Sequence, residues 1–267
     1  MKIATWNVNS IRTRLEQVVN WLKQNPVDVL CLQETKVIDA DFPRSPFEVL
    51  GYHLYISGQK AYNGVAMLSR TPLSQVSQGF TPILLGTAAA DEALGFDEQK
   101  RVLTGIIEPG IQLVNLYVPN GSAIGSEKYD YKLRWLALLH QYLQVLRSQS
   151  ANPLLICGDF NIALEDRDIH NPQGRETQIM ASDLEREALK AILDLGFADV
   201  FRKFTSETGY FSWWDYRAAS FRRNLGWRID HHYLTPDLYQ QAIACTIDTT
   251  PRKLPQPSDH APVIVEL

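Results

Sequence analysis

The chain has 267 residues, of which 45% are hydrophobic and 21% charged, and its formal net charge is -4. This composition is typical of a globular protein and excludes disordered, collagen-like and coiled-coil chains. The apolar runs are too short to span a membrane, and the acidic balance does not by itself favour a nucleic-acid partner. Cys31, Cys157 and Cys245 lie in apolar runs without a CxxC pair, so we expect buried, reduced thiols in a cytoplasmic protein.

The predicted elements alternate short strands with a few helices, and residues 1–267 show no repeat or linker, so we expect one domain. Asn9 or Ser10 caps a first helix. A longer helix over Lys128–Arg147 carries leucines from Leu133 to Leu146 on one side, and a capping box at 182–185 opens another helix. Strands are predicted at Lys2–Trp6, Val27–Leu32, Tyr52–Ser57, Val65–Ser69, Leu103–Ile107, Ile111–Val118, Pro153–Cys157, Arg228–Leu234, Ala242–Thr246 and Pro262–Glu266.

Four long polar connections join these elements, at residues 38–51, 79–100, 162–181 and 205–226. Loops of that length in a compact domain are usually functional. The segment 213–228 interleaves four arginines with five aromatic residues, which is typical of a nucleic-acid surface. The alternative is that its tryptophans belong to the core and its arginines are solvated.

Oxygen-bearing side chains cluster at the ends of four apolar strands. Because strand ends of one sheet layer lie close together, these clusters can converge on a single pocket. Carboxylate and amide oxygens suit a hard cation such as Mg²⁺ or Mn²⁺, whereas the His and Cys spacing of a zinc site is absent. The alternative is that each cluster only caps a turn. The clusters are Asn7 with Asn9, Gln33 with Glu34, Asp159 with Asn161, and Ser258 with Asp259 and His260.

An imidazole in the last cluster adds acid–base chemistry. His260 lies beside Asp259 and offers a general acid or a hydrogen-bond donor to phosphate. Asp230 could orient that imidazole. A structural histidine is the alternative when this residue is taken alone.

These residues lie in stretches that resemble the exonuclease III family of abasic-site (AP) endonucleases, within the larger endonuclease/exonuclease/phosphatase superfamily. LQE, GDxN and SDHxP belong to the superfamily at large, whereas WNVNxxR, QETK, FSWW and GWRID are specific to exonuclease III-like proteins. The resemblance covers nearly the whole chain and implies an α/β four-layer sandwich, in which two mixed β-sheets pack face to face between helices. The matching stretches are TWNVNSIRTR (5–14), DVLCLQETK (28–36), GQKAYNGVAMLSR (58–70), LVNLYVPNG (113–121), LLICGDFNIA (154–163), FSWWDYR (211–217), GWRIDHHYL (226–234) and PSDHAPV (257–263).

The resemblance implies a divalent-metal site for Mg²⁺, with Mn²⁺ able to substitute. Its main ligands would be Asn7, Glu34 and Asp259. Further candidates for metal contact are Asp159, Asn161 and His260.

Catalytic roles also follow from the resemblance. Asp159 matches the carboxylate that activates the attacking water, and Asn161 matches the amide that steadies it. Tyr117 matches the active-site phenol. His260 matches the imidazole on the scissile phosphate, and Asp230 supports it.

Two sets of residues match the family's contacts with DNA. Trp213, Trp227 and Ile229 fall where the family shapes a pocket for a base-less sugar. Arg12, Lys60, Tyr62 and Asn120 fall where it contacts the DNA backbone. The chain departs from the family at the unusual pair His231 and His232, which we do not expect to bind metal. It departs again in the loop GSAIGSE (121–127), which lacks an arginine that some relatives use.

The resemblance therefore implies a Mg²⁺-dependent DNA repair nuclease that acts, as a monomer without a membrane partner, on double-stranded DNA with abasic sites or blocked 3′ ends. It would cut 5′ to abasic sites, remove nucleotides as a 3′→5′ exonuclease, and trim blocked ends as a phosphatase or phosphodiesterase. One alternative is a superfamily phosphodiesterase or phosphatase with a non-DNA substrate. Another is a non-catalytic DNA-binding relative. Loss of a catalytic residue would favour that alternative, but Glu34, Asp159, Asp259 and His260 are all present.

Overall fold

Two six-stranded mixed β-sheets pack face to face in the computed structural model, which describes all 267 residues. Each sheet has one parallel strand pair among antiparallel neighbours. The first sheet contains β1 (Lys2–Asn7), β2 (Val29–Gln33), β3 (His53–Ser57), β4 (Val65–Ser69), β11 (Ala244–Ile247) and β12 (Val263–Glu266), in the order β11-β12-β1-β2-β4-β3. The second contains β5 (Ser74–Gln78), β6 (Val102–Ile107), β7 (Ile111–Tyr117), β8 (Leu154–Asp159), β9 (Ala198–Asp199) and β10 (Asp230–Leu234), in the order β5-β6-β7-β8-β10-β9.

Helices cover the outer faces of both sheets, so the predicted four-layer sandwich is confirmed. One apolar cluster lies between the sheets, and a further cluster lies between each sheet and its own helices. None of the helices is long and apolar enough to cross a membrane. The helices are α1 (Ile11–Gln24), α2 (Ser45–Glu48), α3 (Thr81–Leu84), α4 (Ala90–Asp97), α5 (Glu127–Gln149), α6 (Asp183–Leu193), α7 (Phe201–Phe204) and α8 (Pro236–Gln241).

Strand β1 shows why the sheets are buried on both faces. Successive side chains of a strand point to opposite faces. Ile3 therefore contributes to the cluster between the sheets, while Ala4 and Trp6 contribute to the cluster under α1. Ser10 caps α1 by accepting a hydrogen bond from the Thr13 backbone N–H, as the sequence predicts.

The structure contains elements that the sequence pattern does not predict. Strand β5 was not predicted because its sequence, SQVSQ, is polar and exposed at the sheet edge. The segment 79–100, predicted to be a polar connection, contains α3 and α4, neither of which has a side-chain cap.

The three cysteines lie in the core, as expected, and so do both histidines of the unusual pair. Cys31, Cys157 and Cys245 are buried and free. Both histidines of the unusual pair are buried in β10. His231 Nε2 lies 2.9 Å from the Ile162 carbonyl oxygen, and His232 Nε2 lies 3.0 Å from that of Val263. They are therefore core histidines with main-chain partners.

Candidate active site

Side chains from both sheets meet at one edge of the sandwich, where β1, β2 and β8 end and β10 begins. Asp159 and Asp230 lie directly opposite each other in the antiparallel pair of β8 and β10. Asn7 ends β1, and Glu34 follows the last residue of β2. The left-handed φ of 50° at Glu34 turns the chain sharply at the strand end. Strand ends of both sheets thus supply one site.

Glu34, Asp159 and His260 form a compact cluster in which their ligand atoms lie within 4.8 Å of one another. Asn7 bridges the two carboxylates, because its Nδ2 donates hydrogen bonds to Glu34 Oε1 and Asp159 Oδ2 at 2.9 Å each. Its Oδ1 accepts a hydrogen bond from the Asn9 backbone N–H instead. The two carboxylates offer suitable oxygen atoms for a divalent cation, and Asn7 here orients them with its nitrogen.

The carboxylate of Asp159 is buried and is held by Asn161. The backbone N–H of Asn161 donates to Asp159 Oδ1 at 2.9 Å, and its Nδ2 lies 3.3 Å from Oδ2. Burial, together with the negative charges of Asp230 and Glu34, raises the pKa of Asp159 to about 7 even though His260 opposes the shift. A carboxylate with a pKa near neutrality is well suited to accept a proton from water.

His260 is buried between two carboxylates. Its Nδ1 lies 2.9 Å from Asp230 Oδ2, and its Nε2 lies 3.8 Å from Asp159 Oδ2. Asp230 is fixed in turn by the hydroxyl of Ser212, which donates to it at 2.6 Å. Burial would lower the pKa of His260, but Asp230 and Asp159 outweigh that effect and raise the pKa to about 10. The imidazole is therefore a fixed cation at neutral pH.

Asp259 lies beside this cluster, outside the set of ligand atoms within 4.8 Å. It accepts hydrogen bonds at 3.0 Å from the indole nitrogen of Trp213 and from Asn9 Nδ2. Although burial opposes the shift, His260 and these two donors lower the pKa of Asp259. The carboxylate is thus ionised and oriented.

Lys36 is a site residue that sequence reasoning missed. Its Nζ lies 2.8 Å from Glu34 Oε2 and donates to Asn9 Oδ1 at 2.6 Å. Burial would raise the pKa of Glu34, but Lys36 and Asn7 outweigh it and lower that pKa. The signal in the sequence is the motif QETK, in which the lysine follows the glutamate by two residues.

A pocket of about 440 Å³ opens beside the cluster. Trp213 and Trp227 form one wall, where their backbones pair as an isolated antiparallel bridge. Ile229, predicted to shape this pocket, is 1% exposed and does not line it; it packs in the small apolar cluster behind Trp227. The other lining residues are His170, Gln178, Ile179, Met180, Asp215, Ser220 and Leu225.

The residues predicted to contact the DNA backbone are all exposed at the surface. Arg12, in the first turn of α1, pairs with Asp41 at 2.9 Å in an exposed ion pair. Lys60 and Tyr62 are exposed, and the loop that carries them connects β3 to β4. Asn120, in the loop after β7, donates to Asn161 Oδ1 at 3.0 Å.

The predicted phenol Tyr117 ends β7 beside Asp159, its neighbour in the parallel pair with β8. The guanidinium of Arg101 stacks on its ring at 4.5 Å. Burial raises the pKa of Tyr117 well above its ordinary value, with Glu34 adding to the shift. The hydroxyl therefore stays protonated and can act only as a hydrogen-bond donor or acceptor.

The arginine-rich segment 213–228 divides into two parts. Arg217, Arg222 and Arg223 are exposed, as a nucleic-acid surface requires. Arg228 is buried and binds the carboxylates of Asp168 at 2.7 Å and Asp199 at 2.6 Å. The interpretation of all four arginines as surface groups is therefore wrong for Arg228, because buried acidic partners compensate its charge.

Comparison with known proteins shows the family to which the chain belongs. Residues 4–260 match the model of the endonuclease/exonuclease/phosphatase family. Exodeoxyribonuclease III of Haemophilus influenzae is 34% identical over 100% of this chain and 99% of its own length. An AP endonuclease from Archaeoglobus fulgidus superimposes with a TM-score of 0.89 at 41% identity, covering 100% of this chain and 99% of that one. A 3′ phosphatase from Neisseria, solved with a product DNA hairpin, superimposes with a TM-score of 0.91 at 38% identity over the same shares.

The fold and the site define a hydrolytic nuclease. The chain belongs to the endonuclease/exonuclease/phosphatase family, and within it to the exonuclease III group of AP endonucleases.

Proposed function

We propose that this protein is a divalent-metal-dependent DNA repair nuclease that hydrolyses the phosphodiester 5′ to an abasic site in duplex DNA. It also trims 3′ ends, as a 3′→5′ exonuclease and as a phosphatase or phosphodiesterase. The observation that carries the proposal is the cluster of half-buried Glu34 with buried Asp159 and His260, beside a pocket walled by two tryptophans. The cluster suits phosphate chemistry, and the pocket suits an extruded sugar.

The donor set of the cluster fits a hard divalent cation. Glu34 and Asp159 would hold it, with Asp259 at the edge of the same site and Asn7 orienting the carboxylates. We propose Mg²⁺, with Mn²⁺ able to substitute. When bound, the cation supplies positive charge that stabilises the phosphate in the transition state.

The residues of the chain divide the remaining work. Asp159 accepts the proton of the attacking water, which Asn161 helps to hold. His260, kept cationic by Asp230, places a charged N–H donor where negative charge develops on the phosphate. Tyr117 offers a further neutral donor. Each of these groups is fixed by hydrogen bonds or burial before substrate arrives, so little reorganisation is needed during the reaction.

Recognition of the abasic site rests on the pocket. Extruding a nucleotide that has lost its base costs less than a normal flip, which costs a few kcal/mol. Trp213 and Trp227 would pack against the extruded sugar. Arg12, Lys60, Tyr62 and Asn120 would contact the backbone on either side. The exposed ion pair of Arg12 with Asp41 is weak enough for Arg12 to exchange its partner for a phosphate.

A second candidate is a nuclease whose main substrate is the 3′ end. The similarity to the Neisseria 3′ phosphatase favours it. Both candidates use the same cluster, and they differ only in whether the pocket accepts an internal abasic sugar.

One assay separates these functions. The protein is incubated with a duplex carrying a single tetrahydrofuran analogue and with a nicked duplex ending in a 3′-phosphate, each with Mg²⁺ or with EDTA. The proposal predicts Mg²⁺-dependent incision of the first and phosphate release from the second. Release from the second alone identifies the 3′-end enzyme. Cleavage that ignores EDTA, or inertness on both duplexes, contradicts the proposal.

A further inference from the structure

A lysine without solvent contact lies directly behind the candidate active site. Lys132, on α5, is 0% exposed, and it pairs with Glu185 on α6, which is also 0% exposed. Removing an ammonium group from water is strongly unfavourable unless charge and hydrogen bonds compensate it. The three acceptors of this ammonium group therefore show what it holds in place.

Those three acceptors belong to three separate segments of the chain. Nζ of Lys132 donates to the backbone oxygen of Asn161 at 2.8 Å, to that of Asn120 at 3.2 Å, and to Glu185 Oε1. All three N–H groups of the lysine are thereby used. Two of the acceptors carry site side chains, because Asn120 Nδ2 donates to Asn161 Oδ1 and Asn161 contacts Asp159.

Glu185 extends this connection to the pocket. Its Oε1 also accepts a hydrogen bond from the Met180 backbone N–H at 3.1 Å, and Met180 lines the pocket. Its Oε2 accepts from the backbone N–H and the hydroxyl of Ser182, which form the capping box of α6. One buried ion pair thus joins the amides beside Asp159 to the pocket wall.

The backbone at both anchored positions is unusual. Asn161 has a φ of 50° and Met180 a φ of 70°, in the left-handed region that side chains rarely adopt. Such conformations persist where surrounding contacts fix them. Gly121, with a φ of 90°, packs against the lysine stem so closely that a Cβ would lie 3.1 Å from Lys132 Cδ.

We propose that Lys132, with Glu185 as its counterion, is a positioning residue that holds Asn161 and the pocket wall at Met180 in the geometry that Asp159 requires. The inference rests on the proposed function, because it assigns Lys132 to the support of that site. Lys132 is closed to solvent and therefore acts through Asn161 without touching DNA.

The test uses a double variant, Lys132→Met with Glu185→Gln, which removes both buried charges together and leaves neither unpaired. The matched control is Tyr142→Phe, which removes a buried hydrogen bond to Thr104 from the same helix away from the site. For each protein, kcat and KM on the 3′-phosphate duplex, the melting temperature and the hydrogen exchange of residues 158–164 and 178–182 are measured.

We expect kcat of the double variant to fall about ten- to a hundredfold with KM within about threefold, because a small misplacement of catalytic groups costs that much. Exchange of both segments should rise. The control should lose thermal stability without either change. A folded double variant whose kcat and hydrogen exchange equal those of the wild type overturns the inference. The proposed function is judged separately, by whether the wild-type protein itself cleaves the duplexes. If the double variant does not fold, Glu185→Gln alone decides, since unchanged kcat and exchange in that variant overturn the inference equally.

Discussion

The indole nitrogen of Trp213 donates a hydrogen bond to Asp259 Oδ2 at 3.0 Å. A wall of the pocket is therefore bonded to a carboxylate at the edge of the proposed metal site. A sugar that binds against Trp213 and shifts its ring would therefore also change the orientation of Asp259.

Trp213→Phe separates these two roles, since phenylalanine keeps an aromatic wall and removes the donor. We expect the Mg²⁺ concentration needed for half-maximal incision to rise several-fold, because Asp259 loses one of its two side-chain donors. A net hydrogen bond to a charged group contributes about 1.5–3 kcal/mol. A Mg²⁺ titration of the incision rate checks this, and an unchanged midpoint would show that the bond does not support metal binding.

Asp159→Asn should nearly abolish turnover, because the amide cannot accept the proton of the attacking water. Loss of a general base typically costs about 10²–10⁴-fold in rate. Binding of an abasic duplex should stay close to wild type, since the proposed role of the carboxylate belongs to the transition state. Single-turnover rates and fluorescence anisotropy check both parts. More than about half the wild-type rate would remove Asp159 from the role of base.

Glu34→Ala should behave differently, because Glu34 is proposed to bind the metal and, unlike Asp159, to take no part in the transfer of the water's proton. Activity should fall and then recover in part as Mg²⁺ is raised, since mass action offsets weaker coordination. Calorimetry with Mg²⁺ in the absence of DNA provides a second measurement. Intact metal binding with activity that added Mg²⁺ does not restore would make Glu34 structural.

Trp227→Ala tests the pocket against the core. Trp227 is 7% exposed and belongs both to the pocket wall and to the small apolar cluster with Ile169 and Met180. Packing of an aromatic ring against the nucleotide contributes roughly 1–3 kcal/mol, so incision at low substrate should drop about ten- to a hundredfold. Release of a 3′-phosphate should be affected less. Parallel loss of both activities with the melting temperature would assign Trp227 to the core alone.

His231 predicts how stability depends on pH. Its burial in β10 beside Arg228 lowers its pKa to about 4, whereas the unfolded chain protonates it near about 6.5. Between about pH 6.5 and pH 4 only the unfolded state binds a proton at His231. Lowering the pH through this range therefore stabilises the unfolded state and reduces the free energy of unfolding. We expect His231→Gln to reduce the loss of unfolding free energy between about pH 7 and pH 5 by about 2 kcal/mol. Urea titrations of both proteins at the two pH values check this, and equal losses would contradict it.

The strands and the long helices were predictable because the spacing of their apolar residues and the identity of their capping residues are visible in the sequence itself. The apolar run of β1 and the cap at Asn9 or Ser10 are local patterns, and the structure contains the strand and places the cap at Ser10. The edge strand β5 was not predicted, because its sequence SQVSQ has no apolar pattern.

The sequence predicted those residues of the candidate site that lie at the ends of strands. Glu34, Asp159 and His260 lie close together because each is next to the end of a strand at the same edge of the sandwich. Lys132 could not be found in this way, because a lysine in a leucine-rich helix resembles a solvated residue. The leucine pattern placed Leu133 on the buried side, whereas the structure buries Lys132 completely and leaves Leu133 half-buried. Only the positions of Glu185 and Asn161, far along the chain, explain that burial.

Strand β1 pairs in register with β12, so that Lys2 lies opposite Glu266, and Asp259 and His260 lie a few residues before β12. A chain leaving the ribosome therefore presents Asn7 and Glu34 long before the imidazole and the last carboxylate arrive. We expect a nascent or prematurely released chain that lacks this segment to be unable to cut DNA.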